Sequence, residues 1–248
     1  MKNLLGIIGG LGPMAGAYFL ELLTAATDAD RDQDHAEAIL YSHPDTPDRT
    51  EFIIGESTDD PTPYLLYAAQ QLEKMGVANI AIPCVASHYF LDEVEKNLTV
   101  PVLHMPELTT QYIQSKGMKK VGIMATTGTV KTGLFQNKLD EAGIEWAIPS
   151  DELQDLVMEI TYGQIKAGKR LNNDQFIKII KAFLADGCEG VILGSTELSV
   201  ANRSISNDPL GKGILDTIQG LQIPLIDSMD ILAVESARVS GVKVRRGI

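Results

Sequence analysis

The chain has 248 residues, 44% of them hydrophobic and 22% charged, a length and balance that suit a globular protein with a sizeable core in one large or two modest domains. Its formal net charge of −12 argues against nucleic acid or an anionic membrane as partner, because such proteins carry a basic footprint. An acidic ligand must then be held by local cations. Two cysteines, Cys84 and Cys188, supply neither a disulfide framework nor a metal cluster, which fits a reducing cytoplasm. The opening MKNLLGIIGGLGP breaks at a glycine pair and leads into an amphipathic segment, so a first strand explains it better than a signal peptide. No apolar run approaches the roughly 18 residues of a membrane span, and a soluble protein is expected.

In chain order, short apolar runs ending in turn residues alternate with helical patterns, the signature of βα units and a parallel sheet. Strands are predicted near Leu4 to Ile8, Glu37 to Ser42, Asn79 to Ile82, Val100 to Leu103, Lys120 to Met124, Glu145 to Ala147, Gly190 to Leu193 and Pro224 to Ile226. Helical spacing marks Ala15 to Ala26 and Thr62 to Met75, the latter closed by Gly76. Ser150-Asp151-Glu152 reads as a helix start, with a capping hydroxyl and early acids.

The chain also repeats itself. Leu5 to Gly12 has a counterpart in Val121 to Gly128, 116 residues on (122 − 6), and Ile80-Ala81-Ile82-Pro83-Cys84 has one in Val191-Ile192-Leu193-Gly194-Ser195, 111 residues on (195 − 84). Val100 to Leu103 matches Ile223 to Ile226 at 123 residues (224 − 101). Three echoes in the same order predict two similar α/β lobes with largely parallel sheets, related by pseudo-two-fold symmetry. The lobes are placed at 1–98 plus 208–248 and at 99–207. Cys84 and Ser195 then occupy equivalent corners, and the site is expected in the cleft between the lobes.

Ligands of open parallel sheets lie beyond the C-terminal strand ends. Gly9-Gly10-Leu11-Gly12-Pro13-Met14 ends the first strand and opens a helix, so its small residues let backbone N–H groups approach an anion. As a dinucleotide fingerprint it fails, since the third glycine position holds Ala15; a tight turn with no ligand is the plainer alternative. Ala125-Thr126-Thr127-Gly128-Thr129 is the equivalent turn, and its three hydroxyls suit a carboxylate. Cys84 follows Pro83 before a helix expected near Ser87-His88. A helix N-terminus favours the thiolate, and the strand-end position favours function over simple burial. Cys188 precedes its strand at the opposite end of the sheet and reads as structural.

In order and spacing, IIGGLGPMAG at Ile7, PDRT at Pro47, IPCVASHYF at Ile82, ATTGTV at Ala125, YGQIKAG at Tyr162 and LGSTELS at Leu193 resemble the cofactor-independent aspartate/glutamate racemase family nearly end to end. The resemblance implies two α/β lobes, each giving an active-site cysteine, and a base on each face of the substrate, one removing the α-proton while the other supplies one. It implies no pyridoxal cofactor and no metal. Cys84 becomes the thiol of one face and Ser195 the group of the other. Arg49 would grip a carboxylate through its fork of donors, with Lys166 as a second cation. Gly10, Met14, Thr126, Thr127 and Thr129 would line the substrate, as would Val85, Ala86, Thr196 and Glu197 beside the two reacting positions. A surface ion pair for Arg49 and a solvated helix charge for Lys166 are the alternatives when each is read by itself. The implied partner is a small acidic amino acid or dicarboxylate, and the implied assembly a homodimer.

The chain departs from the family at two places. Members commonly carry cysteine where this chain has Ser195, and a hydroxyl is a poor base unless a neighbour activates it. The family's Cys-Asn-Thr becomes Cys84-Val85-Ala86, without the amide and hydroxyl that help bind the amino acid. His88, four residues past Cys84, reads equally well as packing or as catalytic. Three explanations stand: an engineered Cys-to-Ser change in an active racemase, a natural variant with an activated serine or a one-thiol isomerase or decarboxylase reaction, and a binding protein that has lost turnover. Val85 and Ala86 favour natural divergence.

Overall fold

A computed structural model describes residues 2–207 and 219–245 of the chain. It divides into two compact units, Met1–Leu108 with Met229–Ile248, and Thr109–Ser228. The first unit holds a four-stranded parallel sheet in the order β2-β1-β3-β4, formed by β1 (Leu5–Gly9), β2 (Ala38–Ser42), β3 (Asn79–Ala81) and β4 (Val102–Leu103). The second holds β5 (Lys120–Ala125), β6 (Glu145–Ala147), β7 (Gly190–Gly194) and β8 (Leu225–Asp227) in the equivalent order β6-β5-β7-β8, again parallel. All eight strands therefore lie where the apolar runs predict them, and the three echoed pairs are β1 with β5, β3 with β7 and β4 with β8.

The sequences explain this placement. The strands Leu5–Gly9 and Gly190–Gly194 are buried at every residue, as expected for parallel strands covered on both faces. In the first unit, helices α1 (Pro13–Ala26) and α3 (Thr62–Lys74) pack on β1. Helix α3 presents Leu65, Ala68, Ala69 and Leu72 to the core, the stripe that a 3.6-residue period produces. In the second unit, α9 (Asn173–Ala185) contributes Phe176, Ile179, Ile180 and Phe183 to a core with Met124, Val191 and Leu193. Gly122 is what lets this helix approach: a Cβ there would stand 2.4 Å from Cδ1 of Phe183.

The division of the chain differs from the expectation. Residues 99–108 belong with the first unit, because β4 pairs with β3 through Ile80↔Val102 and Ala81↔Leu103. Residues 225–227 belong with the second, because β8 pairs with β7 through Val191↔Leu225, Ile192↔Ile226 and Leu193↔Asp227. The expected boundaries hand each fourth strand to the wrong sheet; backbone pairing keeps each at home. The expected boundary at 208 lies outside the described residues. The chain passes from one unit to the other within α5 (Met105–Ser115) and returns at the start of α11 (Ser228–Val239). Among the described residues no helix is long and apolar enough to cross a membrane.

Candidate active site

In each sheet the strand order reverses between the first and third strands, and the crevice beyond the C-terminal ends of such a pair is where open α/β sheets place ligands. In the first unit this puts the β1 turn beside the β3 turn. Ile7 pairs with Ala81, and Gly10 and Cys84 each lie three residues further on (10 − 7 and 84 − 81). In the second, Ala125 pairs with Gly194, and Thr126 and Ser195 are the next residues. Cys84 is 6% exposed and Ser195 5%.

Cys84 is extended, with φ −153° and ψ 107°, and its side chain makes no capping hydrogen bond. Its N–H donates to the Ile82 carbonyl at 2.7 Å and its own carbonyl accepts the Ser87 N–H at 3.2 Å. The helix expected near Ser87 is a tighter 3-10 segment, Val85–Phe90, which continues into α4 (Leu91–Glu95). Val85 and Ala86 are buried in it, and Ala86 shares the first unit's core with Cys84, Ile82 and Phe90. His88 is also buried, with Nδ1 3.0 Å from the Cys84 carbonyl and Nε2 accepting the Met105 N–H at 3.1 Å. Burial lowers its pKa to about 4, so the ring is neutral at pH 7.

The β1 turn is closed by the loop after β2. Gly10 has φ 91°, and a Cβ there would lie 2.4 Å from the His43 backbone nitrogen, so only glycine fits this crossing. The His43 N–H donates to the Gly9 carbonyl at 3.0 Å. Thus the small residues admit another loop's backbone. Met14 stands 78% exposed in the first turn of α1. Arg49 opens α2 (Arg49–Ile54), capped by the Asp48 carboxylate, which accepts from the Thr50 and Glu51 N–H groups. Arg49 is 7% exposed, and its guanidinium donates to the carbonyls of Thr46 at 3.3 Å, Pro47 at 2.8 Å and Leu11 at 2.9 Å. Arg49 is therefore not a surface side chain but a buried cation tying the β1 turn to the β2 loop. Its helix packs against the Val85–Phe90 segment, where Phe52 and Phe90 meet at 5.8 Å between centroids. The structure thus gathers Gly10, Arg49, Cys84, Val85 and Ala86 around one sheet end.

In the second unit, Thr126 caps α6 (Thr127–Thr132) by accepting the Thr129 N–H. The Thr126 and Thr129 hydroxyls stand 3.2 Å apart, and the Thr127 hydroxyl accepts from Gln154 at 3.3 Å. All three hydroxyls of this turn are engaged within the unit. Ser195 precedes α10 (Thr196–Asn207) and its Oγ accepts the Leu198 N–H at 3.3 Å, an N-terminal helix cap. The Thr196 hydroxyl donates to Glu197 at 3.3 Å. Helix α10 packs against a π-helical stretch, Glu159–Ile165, a geometry frequent at functional sites. Lys166 follows that stretch, exposed, with Nζ 4.1 Å from the centroid of the Tyr162 ring.

Sequence reading missed Ser199 and Asp227. Both are buried, and the Ser199 hydroxyl donates to Asp227 at 2.7 Å. The available signal was an acid just beyond the predicted strand Pro224 to Ile226, in Ile226-Asp227-Ser228. Cys188 is buried at the far end of its sheet, and burial raises its pKa, as suits a packing thiol. Among the described residues no group of three or more His, Cys, Asp or Glu side chains is placed to hold a metal.

Comparison with known proteins now gives these strand ends a context. A family model for Asp/Glu/Hydantoin racemases matches residues 8–236. The broad specificity amino-acid racemase RacX of Bacillus subtilis (strain 168) is 28% identical over 235 residues, covering 93% of this chain and 95% of that protein. The structure of Picrophilus torridus aspartate racemase superposes with a TM-score of 0.78 at 28% identity, covering 98% of this chain and 96% of that one. An aspartate racemase homologue from Pyrococcus horikoshii OT3 gives a TM-score of 0.74 at 25% identity, with 97% and 100% covered. With a match along almost its whole length and the two-sheet architecture in common, this chain belongs to the Asp/Glu/Hydantoin racemase family.

Proposed function

We propose that the protein is a racemase of aspartate, glutamate or both, working without pyridoxal phosphate, in which Cys84 and Ser195 act on opposite faces of the α-carbon. The observation that carries this reading is the equivalent placement of the two residues, each buried just past the third strand of its sheet and beside the turn of the first. Cys84 as thiolate removes the α-proton from one enantiomer and as thiol returns one to the other. Without a cofactor to delocalise the carbanion, charge on the substrate carboxylates must be met by cations and positioned donors. Arg49 and Lys166 are assigned that role, with Gly10, Met14, Val85, Ala86, Thr126, Thr127, Thr129, Thr196 and Glu197 lining the substrate. Aspartate is favoured by the aspartate racemase from Picrophilus torridus, while RacX argues for assaying other amino acids too. A cytoplasmic homodimer is the assembly we assign.

Ser195 is the weak member of the pair. Its Oγ already accepts a helix N–H, which leaves the hydroxyl a poor base unless a neighbour activates it. That observation supports a second reading: one thiol alone performs an isomerisation or decarboxylation, or the chain binds a dicarboxylate without turnover. The discriminating experiment is exchange of the substrate α-hydrogen with solvent deuterium, followed by NMR for each enantiomer of aspartate and glutamate. Cys84-dependent exchange supports racemisation, and its absence with all four compounds overturns it. Saturable binding without exchange identifies the binding protein, and formation of a new product from another acid identifies the one-thiol enzyme.

A further inference from the structure

Met105 opens α5, so its N–H is among the first-turn donors that no carbonyl of the same helix can accept. His88 Nε2 takes that N–H at 3.1 Å. A neutral imidazole has one acceptor nitrogen and one N–H, so the proton sits on Nδ1, which donates to the Cys84 carbonyl at 3.0 Å. The Leu103 carbonyl, 3.3 Å from Nε2, then faces a lone pair and offers no bond. One ring thus ties the backbone of Cys84 to the chain just beyond β4.

The second unit makes the same tie with different atoms. Ser199 stands four residues past Ser195, as His88 does past Cys84. The Ser199 N–H donates to the Ser195 carbonyl at 3.2 Å, and its hydroxyl donates to the Asp227 carboxylate, at the end of β8, at 2.7 Å. Next to it, the Ser228 hydroxyl donates to the Leu193 carbonyl at 2.7 Å, closing β8 onto β7.

We propose that His88 and Ser199 are equivalent positioning residues, each anchoring the carbonyl of its strand-end residue, Cys84 or Ser195, to the C-terminal end of the fourth strand of its own sheet. The inference rests on the reading of Cys84 and Ser195 as the reacting groups. The side chain of each projects from a backbone whose next peptide is fixed by the residue four places on. A proton-transfer group displaced by about 1 Å loses on the order of 100-fold in rate. The carboxylate grip assigned to Arg49 is held by that residue's own bonds to the Thr46, Pro47 and Leu11 carbonyls, and so KM is left alone.

The test compares His88→Leu, which fills the space without polar atoms, with His88→Asn, whose amide N–H can replace Nδ1–H. Exchange kinetics are measured per folded molecule, alongside the rate at which iodoacetamide alkylates Cys84, resolved from Cys188 by peptide mapping. For His88→Leu we expect kcat to fall about 10- to 100-fold with KM within about twofold of wild type and a changed alkylation rate; His88→Asn recovers most of each. Ser199→Ala, a small change that keeps the backbone bond, is expected to lower kcat about tenfold at unchanged KM, and it remains decisive should His88→Leu not fold. Unchanged kcat and alkylation per folded molecule in His88→Leu, or unchanged kcat in Ser199→Ala, overturns the proposal. Alkylation needs no turnover: a wild-type protein that shows no exchange, yet whose Cys84 alkylation depends on His88, sinks the racemase reading and leaves the positioning role standing.

Discussion

The two strand ends are held alike and armed differently. In the first unit Cys84 sits before a 3-10 segment and its sulfur caps nothing; in the second, Ser195 lends its hydroxyl to the N–H of Leu198 at the start of a twelve-residue helix. Around these atoms the scaffolds correspond, with equivalent strand orders and a residue four places on that anchors the strand-end carbonyl. The comparison teaches that a repeated α/β framework fixes where a group stands, and the local helix start decides whether that group is already engaged in a cap.

The largest effect that should break the equivalence comes from Arg49, a buried cation of the first unit. Arg49→Leu removes three charge-assisted bonds to the Thr46, Pro47 and Leu11 carbonyls. It is expected to cost about 3 to 5 kcal/mol in urea unfolding; a loss below about 1 kcal/mol would show that the loops hold themselves. Next comes His88. Folded, its imidazole charges only near pH 4, against 6.5 for the unmodified side chain. Between those values only the unfolded chain binds the proton, so stability falls as pH drops through that window and is flat above it. The loss is roughly 3 kcal/mol, and His88→Asn should abolish this part of the pH profile.

A smaller effect should sharpen the contrast between thiol and hydroxyl. Ser195→Cys is expected to raise racemisation by about tenfold or more, or to restore it, measured as exchange from each enantiomer; no change would mean that Ser195 does not limit the reaction. The smallest concerns Lys166, whose ammonium rests on the Tyr162 ring at 4.1 Å. Tyr162→Leu removes a contact of about 0.5 to 1 kcal/mol, which should appear as a two- to fivefold rise in KM for aspartate at constant kcat.

Much of the framework was legible because continuous apolar runs such as Val121-Gly122-Ile123-Met124 and Val191-Ile192-Leu193 can be satisfied only by strands buried on both faces. Three of the four strand correspondences were also visible as echoes. The unit boundaries were not, because spacing along the chain does not say which sheet Val102 or Leu225 joins; that is decided by pairing with Ile80 and Val191. At the candidate site, the positions of Cys84 and Ser195 just past their strands were legible from the apolar runs that precede them. Gly10 was visible as a requirement but not for its cause, the backbone of His43 at close range. The Thr126, Thr127 and Thr129 hydroxyls looked open in the sequence and have partners within their own unit. The tie between Ser199 and Asp227 spans 28 residues (227 − 199) and follows no periodicity, so it emerges only from the register of β7 on β8.

The most direct test is α-deuterium incorporation from D2O into D- and L-aspartate by the wild-type protein and by Cys84→Ala. The account predicts incorporation into both enantiomers by the wild type and a loss of at least about 100-fold in the variant. Undiminished exchange in Cys84→Ala would contradict it.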